Sequence, residues 1–403
     1  MLPRAPMTKA AESTILSPRV AVTAVFVSYG VSVGLWAGSV PAIARAVGID
    51  DLELGEALTL YTLTIVAAMS GAGVAARFVS NRLGLLLAVP VMAAAGCVLQ
   101  TSSSGPVFIG SLAVFGAGLG FTDVFMNAEA GAVEHALGRP VFATFHGAAS
   151  LSAAAAAILG SLLVARLGPV APIPFHLIAA GVAMAIVAMA LQPHRLSGIS
   201  ASMSARIPRA PLVVLGLAAG LIIASETAGL LWSARLLDEA FPALIAIAGA
   251  GPAFYTLCNA VMRFNGDRLR GWLGDRRLIL WSIALSVAGF LAVAFAQGFA
   301  ARVAALAVAG LGTACIIPCM FAIAAGASTH GRAARLGLVS MVAGGPRIAA
   351  PWAFGLVSAG SSIAGAFGLC CLLLVGAAGL VIVYTRMQAS PAPAPATERV
   401  REV

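Results

Sequence analysis

Apolar stretches of about 20 residues, long enough to cross a bilayer as a helix, recur along the 403-residue chain between charged and Gly/Pro punctuation. Twelve are expected, near residues 19–45, 54–78, 83–102, 106–134, 139–165, 170–192, 211–236, 241–264, 276–298, 301–328, 333–358 and 361–386. The pattern predicts an all-α membrane protein of twelve transmembrane helices, and an even number puts both ends on one side. Residues 193–210 carry Arg195, Arg206, Pro208, Arg209 and several serines, and read as a linker between a six-helix half at 19–192 and another at 211–386. Residues 1–18 and 387–403 read as tails, the second with a disordered Pro-Ala-Pro-Ala-Pro composition. The first apolar run is too long for a removed signal peptide and has no small-residue cleavage site, so it is expected to stay as the first span.

Composition agrees: 60% of residues are hydrophobic, 10% are charged and the mean hydropathy is +0.99, which excludes a soluble globular chain. The formal charge of +9 is not gathered on one domain, so nucleic acid is not an expected partner. Of the 24 Lys and Arg residues, only Arg45, Arg166, Arg235 and Arg302 fall on one side of the expected spans and Arg347 falls within one; all the others lie on the opposite side. That asymmetry predicts cytoplasmic termini. Asp50, Asp51, Glu53, Glu56, Asp238 and Glu239 share the side that is poor in cations. The six cysteines lie in apolar spans without zinc or disulfide spacing, and read as small packing residues. No metal or cofactor is expected.

Polar groups inside the apolar runs are the informative exceptions. An ionisable residue at membrane depth costs at least about 2.5–3.5 kcal/mol and marks a pathway by default. In the fourth span, Asp123 and Asn127 share a helical face with Gly116 and Gly120, while Glu129 points elsewhere. The fifth span returns antiparallel around Gly138, which sets His146 one turn from Asn127 and beside Glu129, about 12 Å from the turn. A histidine there can shuttle a proton; its alternative is a satisfied packing residue. Glu226 and Arg347 each lie near the middle of their spans, where neither charge is tenable without a partner or a change of protonation. Arg347 follows Gly344-Gly345-Pro346 and precedes Pro351, which predicts an interrupted helix lining a cavity. Asp123 and Glu226 are its candidate partners. Trp36 and Trp232 are candidate solute contacts or interfacial belt residues, and Asn259, one turn from Arg263, is a further solute contact.

The halves repeat. After the second span the chain reads Arg77-Phe78-Val79-Ser80-Asn81-Arg82-Leu83, and after the eighth Arg263-Phe264-Asn265-Gly266-Asp267-Arg268-Leu269. Matching loops at corresponding places predict two pseudo-symmetric halves made by duplication. The repeated loop resembles the Gly-x-x-x-Asp-Arg-x-Gly-Arg-Arg signature of the major facilitator superfamily. Its first copy has Asn81 for the acid and Leu85-Leu86 for the trailing basic pair. The second keeps Gly266, Asp267, Arg268, Gly274, Arg276 and Arg277 across an insertion. The resemblance implies gating roles for Arg77, Asn81, Arg82, Arg263, Asp267 and Arg268, the acid capping a neighbouring helix and the arginines bridging helices. A carboxylate at a helix start contributes about 0.3–1 kcal/mol, and an Asn less. Without the resemblance, these arginines read as positive-inside anchors.

Trp36-Ala37, Pro41-Ala42-Ile43, Phe115-Gly116-Ala117 with Gly120, Asn127-Ala128-Glu129, His146-Gly147, Ser150-Leu151 and the Glu226/Trp232 spacing resemble the branch containing rhizopine permeases and the inner-membrane protein YbjJ. Asp123 with Asn127 is also similar to the acid-x-x-x-Asn of fucose/proton symporters, whose second acid, in span one, has no counterpart here.

These likenesses imply a secondary transporter working by alternating access. Asp123, Glu226, His146 and Glu129 would couple protons, and Trp36, Asn127, Trp232, Asn259 and Arg347 would meet a small sugar-, polyol- or amino-sugar-like solute. No Walker loop or other nucleotide signature is present. The expected working unit is a monomer in the bilayer whose partners are the solute and protons. Phe121, Phe125, Met126, Phe142 and Phe145 keep open an exporter of amphiphilic compounds, and a non-transporting sensor would keep the fold. An enzyme is not expected, since no metal pair or nucleophile with a positioned base is found.

Overall fold

The computed structural model describes residues 17–139, 141–193, 209–325 and 332–389. The tails and most of the expected linker lie outside these residues. Among the described residues, helices α1 (Pro18–Val47), α2 (Asp51–Ala75), α3 (Asn81–Gln100), α4 (Gly105–Leu137), α5 (Phe142–Leu167) and α6 (Ile173–Ala190) make the first half. The second holds α7 (Arg209–Leu231), α8 (Ser233–Ala240), a 3-10 segment at Pro242–Ile247, α9 (Ala250–Leu273), α10 (Asp275–Phe295), α11 (Phe299–Thr313), α12 (Ile316–Ala325), α13 (Arg332–Gly360) and α14 (Ile363–Ala389).

Eleven stretches are long and apolar enough to cross a membrane. The twelfth crossing is α13: its 29 residues span about 43 Å at 1.5 Å each, but Arg335, Arg347 and its glycines dilute its apolar character. The start of α1 and the end of α14 therefore share one face, the near face; the α1–α2 turn lies on the far face.

Local signals set the helix ends. Ser17 caps α1, whose Pro18 needs no amide partner, and Gly48 closes it with φ 79. Asp50 and Glu53 form a reciprocal capping box on α2, with Glu53 N donating to Asp50 Oδ1 at 2.8 Å and Asp50 N to Glu53 Oε2 at 3.0 Å. Gly138 ends α4 with φ 62, as the sequence required for the return of α5.

Three expectations need correction. The Arg263–Leu269 segment is not a loop: α9 runs unbroken to Leu273, and the turn falls at Gly274, φ 71. There Asp275 opens α10 and accepts from Arg270 Nε at 2.7 Å across the turn. Asp275 thus occupies the helix-start position expected of Asp267. Second, α13 is not interrupted but runs through Pro346 and Pro351, because packing against α2 and α7 holds it across the two amides that proline removes. The breaks fall elsewhere, at Trp232 between α7 and α8 and at 314–315 between α11 and α12. Third, the eighth span opens as a 3-10 segment rather than at the start of a helix.

In the first half α1 packs along α5, and α4 packs between α2 and α3. Small residues permit these approaches: Gly30, Gly34 and Gly38 on α1 meet Ala149, Ala153 and Ala157 on α5, a small-xxx-small seam of the kind that joins helices in lipid. Gly116 and Gly120 on α4 face Tyr61 and Ile65 on α2. The halves meet along two seams, α2 with α13 and α5 with α9. Among the described residues, α4 and α12 have their extensive contacts within their own halves. All six cysteines are free.

Candidate functional site

On α4, Asn127 Nδ2 donates to the Asp123 carbonyl oxygen at 2.8 Å, which turns its Oδ1 towards His146 Nε2 at 3.0 Å. An amide oxygen only accepts, so this orientation places the proton on His146 Nε2 and leaves Nδ1 for a second partner. The Phe26 and Phe142 rings, both 5.0 Å from the imidazole, hold it in place. The α4–α5 turn thus brings His146 to Asn127. Glu129 is 2% exposed on another face of α4 and is part of the packed interior.

In the second half, Glu226 on α7 meets Arg263 on α9, Oε1 to Nη2 3.9 Å. Arg263 also donates from Nη1 to Ser150 Oγ on α5 at 3.1 Å, so one guanidinium ties the halves together. Expected at a near-face latch, Arg263 instead points into the interior because its segment is helical. Asn259, one turn earlier, is 4% exposed. It donates from Nδ2 to Thr313 Oγ1 at 3.1 Å, and the Tyr255 hydroxyl lies 2.9 Å from the same oxygen. These bonds satisfy polar groups beside the α11–α12 break, so Asn259 supports that bend in this conformation.

Arg347 on α13 belongs to the second half. Its charge acts on Asp123 and Glu226 and on the tyrosines Tyr29 and Tyr61. Among the described residues no carboxylate reaches ion-pair distance of it, and its Nε is buried without a hydrogen-bond partner. Asp123 and Arg347 are each half-buried. Asp123 on α4 and Arg347 on α13 come from different halves.

Other expected contacts are core. Trp36 is 1% exposed, its ring 6.0 Å from Phe108. Trp232 is also 1% exposed, packs 4.8 Å from Phe354 and borders a crevice of only about 10 Å³. Neither ring reaches a solute-sized space here, nor does either form an interfacial belt, because helix packing encloses both. A larger hollow, about 350 Å³, lies on the far face between Ile49, Glu53, Glu56 and Phe108, away from Asp123.

On the near face, Arg82 Nη2 donates to the Ala188 carbonyl near the end of α6 at 2.7 Å, a bridge between α3 and α6. Ser80, not Asn81, caps α3. Asn81 is fully buried with both side-chain polar atoms unpaired, and Arg77 and Arg268 are exposed.

Sequence reasoning missed the far-face cluster. Asp51 accepts from Arg235 Nε at 3.1 Å and from the Ser358 hydroxyl at 2.7 Å, so α2 is tied to α8 and α13. Asp238 pairs with Arg45 at 3.1 Å and Arg235 at 3.7 Å. Burial pushes the Asp238 carboxyl above the usual range, against the pull of Arg45 and Arg235. Glu239 is raised by burial and then by Asp51. Below the cluster, a Cβ on Gly55 or Gly355 would sit 2.9 Å from the other's Cα. The available signal was the few arginines on the cation-poor side, two of which, Arg45 and Arg235, are the partners here. Hydrogen bonds to charged groups contribute about 1.5–3 kcal/mol each. Asp51→Ala should therefore shift the far face towards open at least tenfold, read as a longer distance between spin labels at the exposed positions Glu53 and Glu239. An unchanged distance distribution would remove the cluster from the gate.

The fold has close counterparts. Over 92% of its length and 100% of that chain, it superposes on the nucleoside transporter NupG with a TM-score of 0.70 at 12% identity. An uncharacterized MFS-type transporter of Yersinia pestis is 27% identical over 375 residues, 92% of this chain and 97% of that one. The chain has the fold of the major facilitator superfamily. The membrane protein MosC of Rhizobium meliloti is 28% identical over 334 residues, 80% of each chain. No family model matches. These relatives are named as a transporter and a membrane protein, not as enzymes, and the long apolar helices make this chain a multi-pass membrane protein.

Proposed function

We propose that this transporter is proton-coupled and moves a small polar solute across the inner membrane by alternating access, with both termini in the cytoplasm and a single chain as the working unit. The rocking bodies are the halves at 19–192 and 211–386. What supports this reading is that the Arg347 charge acts both on Asp123 in one half and on Glu226, paired with Arg263, in the other. Acids at membrane depth that face a shared cleft can take a proton from one side and release it to the other. Asp123 and Glu226 are the carriers, and His146 with Asn127 forms the relay beside them. The resemblance to rhizopine permeases supports a polyhydroxylated solute.

An exporter of amphiphilic compounds is less well supported, because Phe125, Met126 and Phe145 are core residues, each at most 2% exposed. The test is reconstitution in vesicles with an imposed pH gradient and radiolabelled polyols and amino sugars. Asp123→Asn and Glu226→Gln should each abolish proton-linked flux while solute binding persists. Flux that survives both substitutions would overturn the coupling assignment, and flux of no solute at all would favour a sensor.

A further inference from the structure

Resting on that transport reading, we infer that the central site takes an anionic solute, a small hydroxylated carboxylate, with Arg347 as its receptor. Each neighbour that could neutralise Arg347 is already committed or too far away. Glu226 Oε1 faces Arg263 Nη2 at 3.9 Å, an ion-pair contact without a hydrogen bond, and no contact joins it to Arg347. Asp123 stands beyond ion-pair distance, and the Asn127 oxygen is taken by His146. The buried Nε of Arg347 has no acceptor. A guanidinium cannot shed its proton, so it must be matched by an acceptor brought from outside. Its planar fork suits the two oxygens of a carboxylate.

Charge balance points the same way. With all four groups ionised, Asp123, Glu226, Arg263 and Arg347 sum to zero. A proton loaded on Asp123 leaves the site with one uncompensated positive charge, which a bound carboxylate cancels. Loading a cationic amino sugar with that proton would instead carry two excess charges into a low-dielectric interior. Proton and anion entering together are the electroneutral combination.

The probes are glucuronate, galacturonate and lactate, each beside its neutral amide, with glucose and glucosamine as the uncharged and cationic forms of one ring. Binding to the purified protein in detergent is read by isothermal calorimetry and by the shift in unfolding temperature. At least one carboxylate should bind, its amide should not, and Arg347→Gln should weaken that binding at least about 30-fold. Arg347→Lys should fall between the two, since it keeps the charge without the fork. Asp123→Asn should bind the carboxylate several-fold more tightly, because it removes the competing negative charge, an outcome that misfolding cannot mimic. No Arg347-dependent carboxylate binding anywhere in the panel, or glucosamine binding more tightly than glucuronate, would overturn the inference. Proton-linked flux of a neutral polyol together with that result would leave the transport reading standing, whereas carboxylate binding with no flux of any solute would do the reverse.

Discussion

Leucine at Gly34 should prevent the chain from accumulating as a folded, monodisperse protein. A Cβ at that position would stand 2.8 Å from both the Ala153 Cα and the Ala156 Cβ. The first of these is backbone, so the clash cannot be relieved by a rotamer change, and α1 must move away from α5. In lipid that separation is costly for a particular reason: apolar side chains gain nothing by leaving lipid for one another, so helix association rests on close van der Waals contact and interhelical hydrogen bonds. The seam also carries an interhelical bond, from Ser152 Oγ to the Val27 carbonyl at 3.2 Å, which the displacement would break. Overpacking costs about 1–3 kcal/mol per added group, and several such groups rival the roughly 5–15 kcal/mol that holds a typical domain together. Gly73→Leu is the control, since a Cβ there meets nothing within 4 Å. Size-exclusion profiles and unfolding midpoints in detergent would compare the two, and a wild-type profile for Gly34→Leu would show that the seam is looser than described.

The second large effect is expected from Arg263→Ala, which leaves the Glu226 carboxylate without its partner and breaks the bond to Ser150. Removing one member of a buried pair costs about 3–5 kcal/mol. With side chains 28% and 20% exposed, the lower end of that range is the appropriate expectation. Adding Glu226→Gln should recover most of the lost unfolding temperature, because the double variant holds no stranded charge. It should not recover proton-linked flux, which separates the structural part of the pair from its part in transport. If the double variant is no more stable than Arg263→Ala alone, the ion pair is not what Arg263 contributes.

Much of the candidate site was legible because it depends on short-range geometry. Asp123 and Asn127 are one turn apart on a single helix, and Gly138 sets the return that brings His146 to the same depth. Where the reading failed, a local motif was assigned to the wrong kind of structure. Arg263-Phe264 repeats Arg77-Phe78 in letters, but Gly266 does not stop α9. The helix continues until Gly274 supplies a left-handed backbone, and that continuation swings Arg263 into the interior and gives the turn to Asp275. Pro346 and Pro351 likewise signalled a break that neighbouring helices suppress.

The amino-acid order alone settled the class of protein, since long apolar runs have no stable alternative to lipid-spanning helices, and it settled which polar residues lie at depth. Pairing across the bundle was decided only in three dimensions. That Asp51 meets Arg235 and Ser358, that Glu226 pairs with Arg263, and that no described carboxylate reaches ion-pair distance of Arg347 all depend on how helices distant in sequence are rotated against one another. That rotation is set by where small residues let backbones approach, a property of facing surfaces that no single stretch of the chain contains.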